Sequence, residues 1–404
     1  MTNYDSGIEI TEEMLAIHDT VRRFAEDVMR PVGVTLDKMH DPADVIVESS
    51  PLWGALDEYK ELGLVGQQEA YGPDLSPAQR ALMHCMVLEE TCWGDVGLSI
   101  TLSLYNMAPQ VARNFGNEEA AQFFQERNEI CCLALTEPNH GSDQVAFTEP
   151  SFFDGNIKAD CRVSREGDDF IINGQKSSWV STGTLAGAII LFATFEDGDQ
   201  GIANGAVFVL PADLPGISKG KPLDKMGQRP LNQGEIFFDH VQVPRKFLMM
   251  EGVEVYPIVW EMFLKDANLA MAQQFVGVAR AAYDMALEYA RERVQGGVPI
   301  IAHQNVKLRL FSMYTKVELA RSHVRRLSIN NAVNENGISY QQAASAKVFV
   351  TQSAFEVATD AIQTFGAYGL CREYPIEKVF RDARASTIED GENSMLAIMA
   401  ASRL

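Results

Sequence analysis

Between residues 11 and 128 apolar side chains recur every three or four positions. Met14, Ile17, Val21, Phe24 and Val28 form one such stripe with Pro31 just beyond it, a spacing that predicts a helix ending there. Ala81 to Cys92 and Glu118 to Arg127 keep the helical period, with a turn-rich joint at Tyr71-Gly72-Pro73-Asp74 between helices. From about 130 to 245 the pattern changes to short β-prone runs. They fall at Ile130 to Leu135, Phe170 to Asn173, Ala188 to Phe195, Ala206 to Leu210 and Glu235 to Val243. Asp154-Gly155, Glu166-Gly167-Asp168, Asp197-Gly198 and Pro215-Gly216 punctuate them, which predicts a compact antiparallel β domain. Beyond 255 the helical period returns in long segments. Phe263 to Arg293 is apolar around much of its circumference, as a helix central to a bundle must be, and Gln304 to Val333 and Tyr340 to Phe365 are comparable partners. The pattern therefore predicts an α+β multi-domain chain. It has an N-terminal α-helical domain over 1–129, a middle β domain over 130–245 and a C-terminal four-helix-bundle-type domain over 246–404.

Composition narrows the field. The 404 residues suffice for two or three packed modules, with 46% hydrophobic and 22% charged residues. A net charge of −21 lacks the basic face of a nucleic-acid binder. The six cysteines sit mostly inside apolar segments without framework spacing and read as buried thiols in a reducing compartment. No His/Cys spacing predicts a metal site. The first residues, MTNYDSGIEITEE, lack the charged and apolar regions of a secretory signal, and the densest apolar run, Leu185 to Ala193, is too short to span a bilayer. A soluble cytoplasmic protein with no membrane partner is expected.

The most informative stretch is Leu135-Thr136-Glu137-Pro138-Asn139-His140-Gly141-Ser142-Asp143, which leaves a strand-like apolar run. It supplies hydroxyls, backbone N–H groups and a glycine. Such a turn can bond an uncharged polar ring edge and approach a phosphate, or it can simply be a turn. It is one of four segments in which the chain resembles the acyl-CoA dehydrogenase family over essentially its full length. The others are INGQKSSWVSTG (172–183), KMGQRP with FFDHVQVP (225–244), and QTFGAYGLCREYPIEKVFRDARASTIEDG (363–391). The resemblance implies an FAD flavoenzyme, usually a homotetramer, that converts an acyl-CoA thioester to a 2-enoyl-CoA and hands its electrons to an electron-transfer flavoprotein. It implies cofactor contacts at Leu135, Thr136, Gly141, Ser142, Trp179 and Ser181. It also implies Arg293 and Gln304 on the diphosphate and adenosine half, and Gln363, Gly366 and Ala367 reaching the FAD of a neighbouring subunit, in a homotetramer or homodimer. Substrate contacts are expected from Ser142, Asp95, Glu389 and Gly391.

The chain departs from the family pattern where the base should be. The usual glutamate before a glycine is Asp390 in Glu389-Asp390-Gly391-Glu392, one methylene shorter. A misplacement of roughly 1 Å costs about 10²-fold in rate, so the exchange matters. Relatives that carry their base on the central bundle helix align it with Ala267, flanked here by Asp266 and by Asn268 where an arginine is usual. Asp390 is the expected base. Glu389 replaces a tyrosine and Glu392 a threonine, and three acids in four residues should repel one another and raise at least one pKa. Asp95, in Trp93-Gly94-Asp95-Val96, either offers a second carboxylate to the substrate or caps a helix end. Arg293-Val294-Gln295-Gly296-Gly297 lacks the aromatic of the usual Arg-x-x-Phe-Gly, and residues 144–169 exceed the family norm in length. The expected activity is FAD-dependent dehydrogenation of an acyl-CoA, with an alicyclic or otherwise unusual acyl group in view. A flavin oxidase, a non-oxidative acyl-CoA lyase on the same fold and a non-catalytic subunit of a mixed oligomer are the competing readings.

Overall fold

Helix caps and strand pairings set out three successive regions. The computed structural model describes residues 4–63, 71 and 74–404, so Gly72 and Pro73 of the first joint lie outside the described residues. A small hairpin, β1 (Tyr4–Asp5) and β2 (Ile8–Glu9), precedes α1 (Glu12–Phe24), α2 (Arg30–Lys38), α3 (Pro51–Glu61) and α4 (Pro77–Gly94). Three shorter helices follow, α5 (Val96–Ser103), α6 (Met107–Asn114) and α7 (Glu118–Arg127). The first stripe does not stop at Pro31. A π turn over Ala25–Met29 widens the helix just before the proline, and the helix runs on through Pro31 into α2. Ser76 and Gln79 form a reciprocal capping box that starts α4.

The middle region is one sheet built from β3 (Cys131–Ala134), β4 (Arg162–Glu166), β5 (Asp169–Ser181), β6 (Ala188–Phe195), β7 (Gly205–Pro211), β8 (Ile217–Lys219), β9 (Gln233–Val243) and β10 (Leu248–Glu251). Its order is β10-β7-β6-β4-β5-β9-β8, with β3 also paired to β6. Most pairings are antiparallel as expected, but β3 and β4 both run parallel to β6. They share one edge of it, β3 against residues 188–191 and β4 against 194–195, so the sheet splits between them. The Leu135–Asp143 turn leaves at that split. Every residue of β6 and β7 is buried, which is why these strands read as near-continuous apolar runs rather than as alternation.

The last region holds α8 (Tyr256–Glu292), a short hairpin of β11 (Val294–Gln295) and β12 (Val298–Pro299), then α9 (Gln304–Val333), α10 (Tyr340–Phe365), α11 (Ile376–Ala385) and α12 (Asn393–Ala401). Alanines on the facing sides of α8 and α10 bring these helices close together. The bundle also recruits α4 from the first region. Gly277 permits this crossing, since a Cβ there would lie 2.4 Å from the Glu89 carbonyl oxygen. Glu89 and Glu90 on α4 then face three arginines. Arg280 reaches Glu89 at 3.0 Å and Glu90 at 2.5 Å, and Arg321 and Arg325 reach Glu89 at 2.8 and 3.0 Å. Among the described residues no helix is long and apolar enough to cross a membrane.

Candidate functional site

Two buried side chains stitch the turn after β3 to β5. The Lys176 ammonium donates to the Leu135 carbonyl at 2.8 Å and to Glu137 Oε1 at 2.6 Å, and Ser177 N–H donates to the Thr136 carbonyl at 3.0 Å. Glu137, His140 and Asp160 bring one potential ligand atom each within 4.8 Å. All three are engaged in the turn itself. Glu137 pairs with Lys176 and accepts from Asp160 N–H, Asp160 accepts from Asn139, and His140 contacts Asp143 and the Lys158 carbonyl. The β5–β9 register slips between Lys176 and Val180, and this irregularity turns Trp179 outward, 40% exposed despite its size. Ser181 Oγ accepts from Gln233 at 3.1 Å and keeps its own proton free to donate. The hydroxyls of Thr136 and Ser142 have no partner among the described residues. Gly141 N–H is taken by Asp143 Oδ1 at 2.8 Å.

The acidic turn between α11 and α12 meets this strand. Trp179 Nε1 donates to Glu389 Oε1 at 3.2 Å, and Gln228 Nε2 donates to Glu389 Oε2 at 2.8 Å. Gln228 comes within reach because Gly227 lies flat on α11; a Cβ there would sit 2.4 Å from the Arg381 carbonyl. Lys225, in the same KMGQRP segment, is buried and donates to the Gln228 carbonyl at 2.9 Å and to Gln233 Oε1 at 2.6 Å. Asp390 adopts a left-handed backbone with φ +50, which aspartate tolerates better than most residues, and Gly391 follows at φ +98. Buried side chains of two helices fix both carbonyls of this turn. Asn268 on α8 donates to the Asp390 carbonyl at 3.0 Å, and Lys347 on α10 donates to that of Gly391 at 2.6 Å. The Asp390 carboxylate itself has no hydrogen-bond partner among the described residues.

The electrostatics sort the three acids. Glu392 caps α12, accepting from the N–H groups of Ser394 and Met395 at 2.9 and 3.2 Å, and these bonds bring its pKa below the ordinary value against a desolvation cost. Burial pushes Glu389 up to about 7, assisted by the Asp390 charge and opposed by Gln228, Lys225 and Trp179. Burial also raises Asp390, with Lys347 opposing. The expected elevation is therefore present, but desolvation exceeds mutual repulsion as its cause. Burial likewise lowers Lys225 to about 7 and Lys347 to about 8.

The remaining expected residues lie apart from this group. Asp95 caps α5 through Leu98 N–H at 2.8 Å and pairs with buried Lys378 at 2.5 Å, which also holds Asp382 at 2.6 Å. Its carboxylate is thus committed to internal partners. Asp266 is exposed beside Lys265 at 3.6 Å, and Ala267 next to it carries no acid. Arg293 stacks over Tyr368 at 5.4 Å, which gathers it with the exposed Gln363, Gly366 and Ala367 at the end of α10. Gln304 opens α9, exposed to solvent. No described contact joins these positions to Trp179 or Asp390. Sequence reasoning missed Lys225, Gln228 and Lys347. The signal for Lys347 was available, since it interrupts an otherwise alanine-rich stripe at Ala343, Ala346 and Val350.

Three family models, described as the N-terminal, middle and C-terminal domains of acyl-CoA dehydrogenase, match residues 11–127, 132–241 and 259–404. The chain is 27% identical to the cyclohexane-1-carbonyl-CoA dehydrogenase of Geobacter metallireducens, over 97% of each chain. It is 28% identical to the mitochondrial short-chain specific acyl-CoA dehydrogenase of Rattus norvegicus, over 100% of this chain and 92% of that one. The solved butyryl-CoA dehydrogenase of Megasphaera elsdenii superposes with a TM-score of 0.83 at 26% identity, covering 98% of this chain and 99% of that one. Three consecutive domain matches in the family's order, on this fold, mean that the chain belongs to the acyl-CoA dehydrogenase family.

Proposed function

We propose that this protein is an FAD-dependent oxidoreductase that introduces a double bond between Cα and Cβ of an acyl-CoA thioester. The observation that carries this reading is the state of Asp390. Its backbone is pinned by Asn268 and, through Gly391, by Lys347, while its carboxylate is partly buried and unpartnered. A thioester Cα–H is a poor acid, so its removal needs a positioned base whose pKa approaches that of the medium and a polarised carbonyl. Burial moves Asp390 in that direction. Among the described residues its own N–H has no backbone partner, which leaves it available to the thioester oxygen.

The residues around Trp179 suit a flavin ring. An aromatic wall and free donors at a polar edge are what such a ring requires, and the exposed indole with the Thr136, Ser142 and Ser181 hydroxyls supplies both. Leu135, Thr136, Gly141, Ser142, Trp179 and Ser181 would hold that part of FAD. Arg293 and Gln304 would hold its diphosphate and adenosine half, and Gln363, Gly366 and Ala367 that of a neighbouring subunit. When bound, FAD accepts the hydride from Cβ, and an electron-transfer flavoprotein takes the electrons onward. The outward apolar face of α9, with Leu308 71% and Phe311 67% exposed, supports a homo-oligomer. Ser142, Glu389 and Gly391 form the substrate side. Because Glu389 gives the acyl pocket a second carboxylate, an acyl group other than a plain alkyl chain is favoured, with alicyclic acyl-CoAs first. Asp95, engaged with Lys378, is assigned to structure.

Anaerobic titration of the purified protein with straight, branched and alicyclic acyl-CoAs tests this, with bleaching of the flavin absorbance as the readout. Protein isolated without flavin that cannot be reconstituted, or flavin that no acyl-CoA reduces, would overturn the proposal.

A further inference from the structure

The acidic turn rests on buried ammonium groups that the reaction just proposed does not require. Lys347 lies two turns into α10 with no accessible surface, among Ala343, Ala344, Ala346 and Val350. Its ammonium donates to the Gly391 carbonyl at 2.6 Å and to Asn393 Oδ1 at 2.8 Å, and Asn393 is oriented by Thr351 one turn further along α10 at 3.1 Å. All of these acceptors are neutral. Among the described residues no carboxylate forms an ion pair with Lys347. Taking an ammonium out of water without a contact anion is costly, and a methionine would fill the same space without that cost. A charge held there at such expense calls for an anion just beyond hydrogen-bond range, and the anions its field reaches are Asp390, Glu389 and Glu392.

We propose that Lys347 is a positioning residue whose ammonium, chelated by the Gly391 carbonyl and Asn393, keeps the neighbouring Asp390 carboxylate ionised and ready to accept a proton. The choice of Asp390 as the carboxylate that matters rests on the proposed function. Everything facing Asp390 is consistent with Lys347 being its counter-charge. On its own turn, Glu389 repels it, and Glu392 is turned into the N-terminus of α12. From α8 comes the neutral Asn268, which bonds the backbone rather than the carboxylate, while Lys265 and Asp266 pair with each other. From the segment between β8 and β9 comes Lys225, whose field acts on Glu389 and which itself faces Asp382 of α11. Of the charged groups, Lys347 alone opposes the effect of burial on Asp390. Burial leaves Lys347 itself titrating at about 8, so the support it gives is withdrawn above that pH.

The test is infrared difference spectroscopy of the purified protein as isolated, labelled with ¹³C-aspartate, with the Asp390 band identified by its loss in Asp390→Asn. In Lys347→Met the Asp390 midpoint is expected to rise by about one pH unit or more, roughly a tenfold gain in proton affinity. The pH profile of flavin reduction should move with it. Asn268→Leu removes the other carbonyl anchor without touching a charge, so it should slow reduction and leave the midpoint in place. An unmoved midpoint in Lys347→Met, or an equal shift in Asn268→Leu, overturns the proposal. Should Lys347→Met not fold, the wild-type Asp390 band decides, since it must show a second inflection near the Lys347 midpoint; a single inflection overturns the proposal. If the midpoint moves but Asp390→Asn still reduces flavin, the assignment of the base fails and the electrostatic role of Lys347 stands.

Discussion

Replacing Asp390 by asparagine separates chemistry from structure more sharply than any other single change. The two side chains have the same shape, and asparagine accepts the left-handed φ of +50 as readily as aspartate. The Asn268 and Lys347 bonds go to carbonyls of the turn and survive the exchange. Because the Asp390 carboxylate has no partner among the described residues, no bond is lost. Its pKa is raised in the folded state by burial, so the folded protein is penalised whenever the group is ionised. That penalty is absent below the ordinary carboxylate pKa, grows as pH rises to the folded value and stays constant above it. Each tenfold change in proton affinity is worth about 1.4 kcal/mol, so the variant should melt at or above the wild-type temperature near neutrality. Rate should move the other way. General-base catalysis contributes about 10²- to 10⁴-fold, or roughly 3–5 kcal/mol of barrier. Stopped-flow reduction of the flavin under anaerobic conditions measures the rate, and scanning calorimetry the stability. A rate within tenfold of wild type would remove Asp390 as base. A fall in melting temperature would show that the field of Lys347 outweighs the cost of burying the carboxylate.

Three further outcomes are expected. Glu389 titrates at about 7 and accepts from Trp179, so the fluorescence difference between wild type and Trp179→Phe should change across neutrality and be flat in Glu389→Gln; a pH-independent wild-type difference contradicts the contact. Asp95→Asn keeps the cap on α5 but leaves Lys378 with one carboxylate, and should cost about 3 kcal/mol in denaturant unfolding with KM for the acyl-CoA unchanged. A raised KM at unchanged stability would return Asp95 to the substrate site. Glu89→Gln takes one carboxylate from each of Arg280, Arg321 and Arg325, which keep Glu90, Glu318 and Asp5, and should cost about 3 kcal/mol. The three arginines depress the pKa of Glu89, so its contribution is fully present above the ordinary carboxylate range and is lost as pH falls below it. The variant's stability should accordingly vary less with pH on the acid side, which urea titrations at several pH values measure.

Local chemistry reached far in this chain. Helical period alone delimited Glu118–Arg127, Gln304–Val333 and Tyr340–Phe365, because each has an apolar face wide enough to announce itself and a terminus that caps or breaks. The largely apolar β6 was legible as a strand, and the fold then buried it on both faces. The Leu135–Asp143 turn was likewise singled out from residue types, whereas the acidic turn before α12 was picked out through the family resemblance. Other features needed the folded chain. A π turn moved the expected stop at Pro31, and sheet topology, which leaves little trace in composition, made two pairings parallel. Glu392 became a helix cap and Asp95 a buried ion-pair partner, because the same carboxylate serves a pocket or a helix end according to its neighbours.

What residue order determined by itself was the succession of helical, β and helical regions, the long bundle helices, the Gly/Ser turn after β3 and the presence of an acid before Gly391. Tertiary structure alone decided what surrounds that acid. Trp179 and Glu389 are 210 residues apart in sequence and 3.2 Å apart in space, and the lysines that oppose burial come from α10 and from the connection between β8 and β9. Periodicity is a property of neighbours along the chain. A carboxylate's proton affinity is a property of neighbours in space, set by burial and charge that only the packed fold brings together.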